Sequence, residues 1–346
     1  DTASLAAGLV GLVLLVAYFV IVWGRVGRDP AKGAIVPEYG PPDGFSPAAA
    51  RYVTRMGFDN EAFTAAIVNM AVGGFLTIEE DEDGDYTLIK TGETADLAPG
   101  ERALARKLFS HGKDTIRLEQ KNHKRLQKAQ KALRESLKND FEKVYFLKNT
   151  KYFLPGLGIT LLSLVLIVVF ADQPLFPGFM AVWLTGWTFG CYALVAKAFD
   201  SWRLVLMRGK VLYIVPAVFV TAMSVPFLTA EVFVFLEFAE FVTLPAALAL
   251  GAILLVDAAF YDLLKAPTRL GRRVMDRIEG FGHYLSVAEK DRMNFHNPPE
   301  RTPELFERFL PYALALGVEQ AWSEQFASVL SRATASPAGK VIQSCA

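Results

Sequence analysis

Five apolar runs, each long enough to cross a bilayer, decide what this chain can fold into. They lie at about 5–23, 153–171, 179–198, 211–228 and 241–260. Each has roughly twenty residues with few or no charges, the length a helix needs to cross ~30 Å of hydrocarbon. Backbone polar groups in lipid must be satisfied within the segment, so the spans are read as α-helices. The expected fold is a polytopic α-helical membrane protein with five transmembrane helices. To it belong a cytoplasmic winged-helix-like α/β domain and a small cytoplasmic C-terminal helical unit. The expected divisions are 1–24 for the first span, 25–152 for the winged-helix-like domain with a long basic helix, and 153–262 for a four-helix bundle. The C-terminal helical unit then takes 263–332 and a flexible tail 333–346.

The 52% hydrophobic content comes from these runs rather than from one large soluble core. Two cysteines, Cys191 and Cys345, cannot form a disulfide framework or a zinc site. The first run has no basic residue before it and is followed by Arg25 and Arg28, so it reads as a retained anchor rather than a cleaved signal. The start at Asp1 is read as a cut precursor or a segment of a longer protein.

Net charge is zero, but the charges are segregated. Arg25, Arg28 and Lys32 follow run one. Lys197, Arg203, Arg208 and Lys210 lie between runs three and four, and Lys265, Arg269, Arg272 and Arg273 follow run five. The two other turns carry no basic residue; one holds Asp172 and Gln173, the other Glu231, Glu237 and Glu240. Lysine and arginine concentrate on the cytoplasmic side. The expected topology places the N-terminus outside and the middle domain and C-terminus inside, in a bacterial inner membrane. The segment from Glu231 to Glu240 is read as a short interfacial helix.

Between runs one and two, VPEYGPPDGFSP opens a small domain. Ser46 reads as an N-cap with Pro47 at the first helical position. A second helix begins near Asn60 and ends at Gly73 and Gly74. FLTIEE and YTLIK read as a hairpin joined by DEDGD. Helix, helix, hairpin is the order of a winged helix. Its wing carries Glu79, Glu80, Asp81, Glu82, Asp83 and Asp85, which would repel phosphate, so no nucleic-acid partner is expected. The turn lacks the closing glutamate of a calcium loop, with Lys90 in its place. A basic helix is expected over 118–148, with a stripe of Leu126, Ala129, Leu133, Leu137, Phe141 and Val144. Lys148 and Lys151 at its end, with Arg269, Arg272 and Arg273, are the expected lipid-headgroup contacts.

After run five come three amphipathic helical stretches. The thirty or so residues between Arg301 and Leu330 are too few for a core of their own and are expected to dock on the middle domain. Phe309, Tyr312, Trp322 and Phe326, together with the acidic wing, are the expected partner-binding surface. The stretches FGHYLSVAEKDRMNF and FLPYALALGVEQAWSEQF, and the block PPDGFSPAAARYVTRMGFDNEAFTAAIVNMAVGGFLTIEE, resemble a family of predicted bacterial membrane proteins of unknown function, DUF2207. The resemblance covers most of the soluble part. It implies an extracytoplasmic β-rich domain ahead of the first anchor, expected to be absent here. It also implies a helical membrane protein of the LemA type as partner, and it supplies no catalytic residues.

We find no G-x-S-x-G elbow, phosphate loop, H-E-x-x-H or C-x-x-C. His111, His123, His283 and His296 are scattered, and no catalytic residue, cofactor or metal is expected. Three features of the membrane runs stand out. Gly186 and Gly190 form a helix-packing G-x-x-x-G. Asp257 is a carboxyl inside run five, close enough to its end to reach the interface or to pair with Lys197. Pro216 and Pro226 bend run four. The expected function is a non-enzymatic membrane scaffold or assembly protein that binds lipids and a protein partner, or forms a homo-oligomer. The alternatives are a transporter or channel subunit and a membrane-tethered nucleic-acid-binding regulator.

Overall fold

The computed structural model describes residues 2–81, 85–92, 96–110, 112, 114–171, 174–208, 214–286, 299 and 301–334. The chain opens with α1 (Thr2–Val22), extended by a π-helical turn, Trp23–Gly27. There follow α2 (Pro47–Thr54), α3 (Asn60–Val72), β1 (Leu76–Glu80), β2 (Tyr86–Lys90), α4 (Pro99–Leu108), β3 (Thr115–Arg117), α5 (His123–Phe141) and β4 (Phe146–Leu147). Four long helices come next: α6 (Thr150–Val169), α7 (Leu175–Arg208), α8 (Ile214–Val242) and α9 (Leu244–Leu263). The chain then passes through β5 (Ala266–Pro267), α10 (Arg269–Ser286), α11 (Pro303–Leu316) and α12 (Glu319–Thr334). The expected hairpin-tip carboxylates Glu82 and Asp83, the loop residues Asp172, Gln173 and Lys210, and His111, His296 and Cys345 lie outside the described residues. So does the chain from 335 on, which includes most of the expected tail.

Two compact units emerge, and each is built from two stretches of chain. Residues 1–28 and 149–265 make the first, and 29–148 and 266–346 the second.

In the first unit, five helices are long and apolar enough to cross a membrane. α1, α6 and α9 pack together, and α7 pairs with α8. Small residues set the close approach. The buried face of α1 is Ser4, Gly8, Gly11, Leu15 and Phe19. A Cβ on Gly8 would stand 3.0 Å from the Ala249 Cβ, and one on Gly11 would collide with the Ser163 side chain. Gly156 leaves room for Phe19, whose ring stacks between Phe260 at 4.9 Å and Phe153 at 5.7 Å. Between helices in lipid, van der Waals contact of this kind replaces the hydrophobic drive available in water. Asn149, with φ of 55°, starts α6 and donates its amide to Val26 O at 2.9 Å and Leu264 O at 2.8 Å. It thereby satisfies helix-end carbonyls that have no partner within their own helices.

The outward faces of this unit expose Val13, Val182, Phe219 and Leu255, as lipid-facing helices do. α8 differs from its sequence reading. It runs unbroken to Val242 and turns into α9 through the single residue Thr243, with φ of 81°. The stretch expected to lie along the surface, Glu231 to Glu240, is therefore part of a spanning helix.

In the second unit, β1, β2 and β3 form an antiparallel sheet in that order. Its inward face carries Ile78, Leu88 and Ile116, which stand in register, Ile78 opposite Leu88 and Leu88 opposite Ile116. Ser46 caps α2 by accepting from Ala49 N, and Asp59 caps α3 by accepting from Ala62 N. The buried cluster joins both chain segments: Tyr52, Met70, Leu104 and Leu133 from one, Met275 and Ile278 from the other. β4 pairs with β5 through Phe146 opposite Pro267 and Leu147 opposite Ala266.

This pairing explains why the basic helix is shorter than expected. α5 stops at Phe141, Lys143 takes φ of 71°, and Phe146 turns inward to become fully buried. Of the expected stripe, Val144 is left 46% exposed.

The C-terminal helices share an aromatic core of Phe281, Tyr284, Phe306, Phe309, Trp322 and Phe326. α11 lies against α2 and α3. The Tyr312 hydroxyl donates to Phe45 O at 2.8 Å, and Arg51 Nη1 donates to Ala315 O at 2.7 Å.

Candidate functional site

The described ionisable side chains that most need explaining stand inside the membrane helices. Asp257 is 3% exposed on the inner face of α9, between Ile253 and Phe260. Its Oδ2 accepts from Thr160 Oγ1 of α6 at 2.6 Å, and its Oδ1 is buried with no hydrogen-bond partner. Thr160 stands near the middle of α6, so the carboxyl is deep in the bundle and does not reach toward a helix end. A polar seam continues from it along the α1–α6 contact. Ser163 donates to Ile159 O at 2.8 Å, and Ser4 donates to Ile167 O at 3.1 Å.

A second carboxyl–threonine pair joins α7 to α8. Glu231 Oε1 accepts from Thr188 Oγ1 at 2.5 Å, and Cys191 Sγ lies 3.8 Å from Glu231 Oε2. Trp187 stacks on Phe227 at 5.5 Å beside it. Glu231 precedes Thr243 by about twelve residues and Asp257 follows it by about fourteen. At 1.5 Å per residue they lie about 18 Å and about 21 Å from the turn. The two pairs therefore occupy similar depths on antiparallel neighbours. Sequence reading placed Glu231 in an outer turn; the partner that keeps it within a helix, Thr188, is forty-three residues away.

Other expected site residues are placed differently from the sequence reading. Lys197 is exposed on α7, which packs on α8, and no ion pair with Asp257 forms among the described residues. Gly186 and Gly190 are exposed, with nothing within 4 Å of a Cβ on either, so among the described residues no helix packs on them. The small-residue contact lies instead on α1, where Ser4, Gly8 and Gly11 repeat at spacings of four and three, a signal present in the sequence. Phe309, Trp322 and Phe326 are at most 3% exposed and Tyr312 is partly buried, so they form a core and not a partner surface. The reason is that α10 supplies Phe281 and Tyr284, which complete a core that residues 301–330 lack alone.

Of the acidic wing, Glu79, Glu80 and Asp85 are exposed, and Asp81 is ion-paired with Arg117. Of the expected headgroup contacts, Arg272 is held by Asp276 at 2.6 Å and Glu279 at 3.4 Å, its side chain only 11% exposed. Lys148 pairs with Glu142 at 2.8 Å. Lys151, Arg269 and Arg273 are exposed.

The soluble unit carries its own buried polar groups. Burial acts to raise the Glu142 carboxyl, but the Lys148 ammonium and the Tyr52 hydroxyl outweigh it and hold the group below its ordinary value. Burial, helped by Glu142, pushes the Tyr52 phenol well up. Glu101, 2% exposed, is raised by burial against bonds from Asn69 Nδ2 at 2.8 Å and Ala98 N at 3.1 Å. Among the described residues no group of three His, Cys, Asp or Glu side chains could hold a metal ion.

Five helices long and apolar enough to cross a membrane, with a second, mixed helix-and-sheet unit in the same chain, define a polytopic α-helical membrane protein. Residues 34–326 match the family described as Predicted membrane protein (DUF2207) C-terminal domain, and the chain belongs to that family. Comparison with curated proteins and with solved structures gives no match.

Proposed function

We propose that this chain is a non-enzymatic membrane scaffold or assembly protein whose soluble unit docks a protein partner at the cytoplasmic face of a bacterial inner membrane. One observation carries the reading. The stretch after α1 and the stretch after α9 fold into one body with a shared core, so the spanning helices hold a single domain at more than one point of the chain. Both stretches are joined directly in sequence to spanning helices. The alternation of basic and acidic connections supports their cytoplasmic side and an outer N-terminus.

The helix–helix–hairpin order of α2, α3 and β1–β2 supports a winged-helix-like unit. Its exposed edge, Glu79, Glu80 and Asp85, would oppose nucleic acid and accept a basic protein segment. The family resemblance suggests a LemA-type helical protein as that partner. The test is a photo-crosslinking amino acid placed at Glu80 in cells. A discrete adduct lost in the Glu79→Lys/Asp85→Lys variant supports the reading, and no adduct beyond background contradicts it.

A second reading, a transporter or channel subunit, draws support from the two carboxyls set within the apolar helices.

A further inference from the structure

Asp257 poses a problem of charge. An ionised carboxylate taken out of water costs several kcal/mol unless a positive group or enough hydrogen bonds compensate. Here a single hydroxyl, from Thr160, reaches one oxygen, and the other has none. Among the described residues, the helices packed on α9 offer no cation inside the seam: α8 carries Glu231, Glu237 and Glu240 and no lysine or arginine, and Arg25, in the turn that extends α1, is exposed. The buried face of α1 is Ser4, Gly8, Gly11, Leu15 and Phe19. That of α6 is Gly156, Thr160, Ser163, Leu164, Ile167 and Val168. On α9 itself the other buried residues are Ala246, Ala247, Ala249, Leu250 and Ile253. The partly buried Tyr18 of α1 donates its hydroxyl to Tyr152 O. Lys265, beyond the end of α9, is ion-paired with Asp262 at 2.6 Å. Among the described residues, the buried side chains that line the seam with Asp257 are therefore all uncharged.

We propose that Asp257 is a binding site for one monovalent cation taken from solution, a proton or a sodium ion, held in the seam between α1, α6 and α9. The charge it receives neutralises the carboxyl, and Oδ1 is the atom that receives it. Thr160 is a positioning residue. Its 2.6 Å bond fixes the carboxyl plane and leaves Oδ1 open to the occupant. The Glu231 pair does not share this property, since Cys191 Sγ lies beside its second oxygen and the residue is only partly buried. The inference stands on the surroundings of Asp257 alone. It holds whether or not the soluble unit docks a partner, and it would give the transporter reading its ion.

The test is infrared difference spectroscopy on the full chain in lipid nanodiscs, comparing wild type with Asp257→Asn and with Glu231→Gln. A proton gives a protonated-acid carbonyl band equal to one carboxyl per chain. That band is lost in Asp257→Asn, kept in Glu231→Gln and displaced in Thr160→Val. Sodium gives instead a carboxylate band, lost in the same variant, that moves when sodium is replaced by N-methylglucamine. Either result supports the site and identifies its occupant. A spectrum in which Asp257 contributes neither, or contributes a carboxylate band unmoved by sodium replacement and by titration between roughly pH 5 and pH 9, overturns the proposal. The Thr160→Val displacement separates an effect at Asp257 from general misfolding, because a collapsed bundle would change the whole amide envelope.

Discussion

Three glycines of α10 should respond in opposite directions to the same substitution. In a helix interior, Gly→Ala is ordinarily favourable by about 1 kcal/mol, because alanine loses less backbone freedom on folding. Gly282 should show that gain, since its added Cβ would lie 3.5 Å from Leu316 Cδ1, an ordinary contact. Gly280 and Gly271 should not. A Cβ on Gly280 would overlap the carbonyl of Val36, and one on Gly271 the carbonyl of Tyr145. Both obstacles are backbone and cannot rotate away. Overpacking of this kind costs typically 1–3 kcal/mol, roughly, and more where the backbone must move. The net expectation for Gly280→Ala is destabilisation of about 1–2 kcal/mol, with Gly271→Ala at least as damaging. The gap between Gly280→Ala and Gly282→Ala is then about 2–3 kcal/mol, or roughly one and a half to two decades in the folding equilibrium at about 1.4 kcal/mol per decade.

Trp322 makes the measurement local. It is the one tryptophan of the soluble unit, since Trp23, Trp183, Trp187 and Trp202 belong to the membrane unit. Denaturant titration of the fluorotryptophan-labelled chain, followed by ¹⁹F NMR, reads the transition at Trp322 alone. If Gly280→Ala proves as stable as wild type and tracks Gly282→Ala, the seating of 266–286 on 29–148 is wrong.

Three further outcomes follow from the packing. Trp322→Ala, which empties a fully buried site among Tyr284, Phe309 and Phe326 and removes the donor to Phe306 O, should cost about 3–5 kcal/mol, read by pulse proteolysis in denaturant because the variant lacks the fluorine probe. A surface tryptophan would change it by little. Gly156→Val should lower the melting temperature of the detergent-solubilised membrane unit, because Phe19 fills the space beside Gly156, whereas Gly186→Ala should leave it unchanged. Glu142, held below its ordinary 4.5, should contribute stability that is fully present above that pH and is lost as pH falls through the depressed value. Acid unfolding of Glu142→Gln, followed at Trp322, should show a shallower pH dependence in that window, and an unaltered slope would remove Glu142 from the account.

The sequence showed most where one helix or hairpin is self-sufficient. The five spans, the Ser46 and Asn60 helix starts and the β1–β2 hairpin all come from local spacing and capping, and the structure has them. It showed least where a residue's partner is distant in the chain. Glu231 looked like a surface charge because Thr188 is on another helix. The helix expected over 118–148 ends early because Phe146 and Leu147 pair with residues 120 positions on, a contact no local pattern announces. Trp322 and Phe326 looked like a surface face because their own segment is too small for a core, and the rest of that core arrives from α10. The G-x-x-x-G of α7, Gly186 and Gly190, has the spacing of a packing motif but no described neighbour. Packing chose the less regular Ser4, Gly8 and Gly11 of α1, whose neighbours Ser163 and Ala249 stand opposite them.

The proposed topology puts both chain segments of the second unit on the cytoplasmic side. Single cysteines at Lys121 and Arg273, both exposed, report one from each segment, and Leu175→Cys and Glu240→Cys report the opposite ends of the spanning helices. With the native cysteines replaced, intact cells are treated with a membrane-impermeant thiol reagent. The expected result is labelling at positions 175 and 240 only, with 121 and 273 reacting together once the membrane is opened. Labelling of either 121 or 273 in intact cells, or a difference in sidedness between the two, would contradict it.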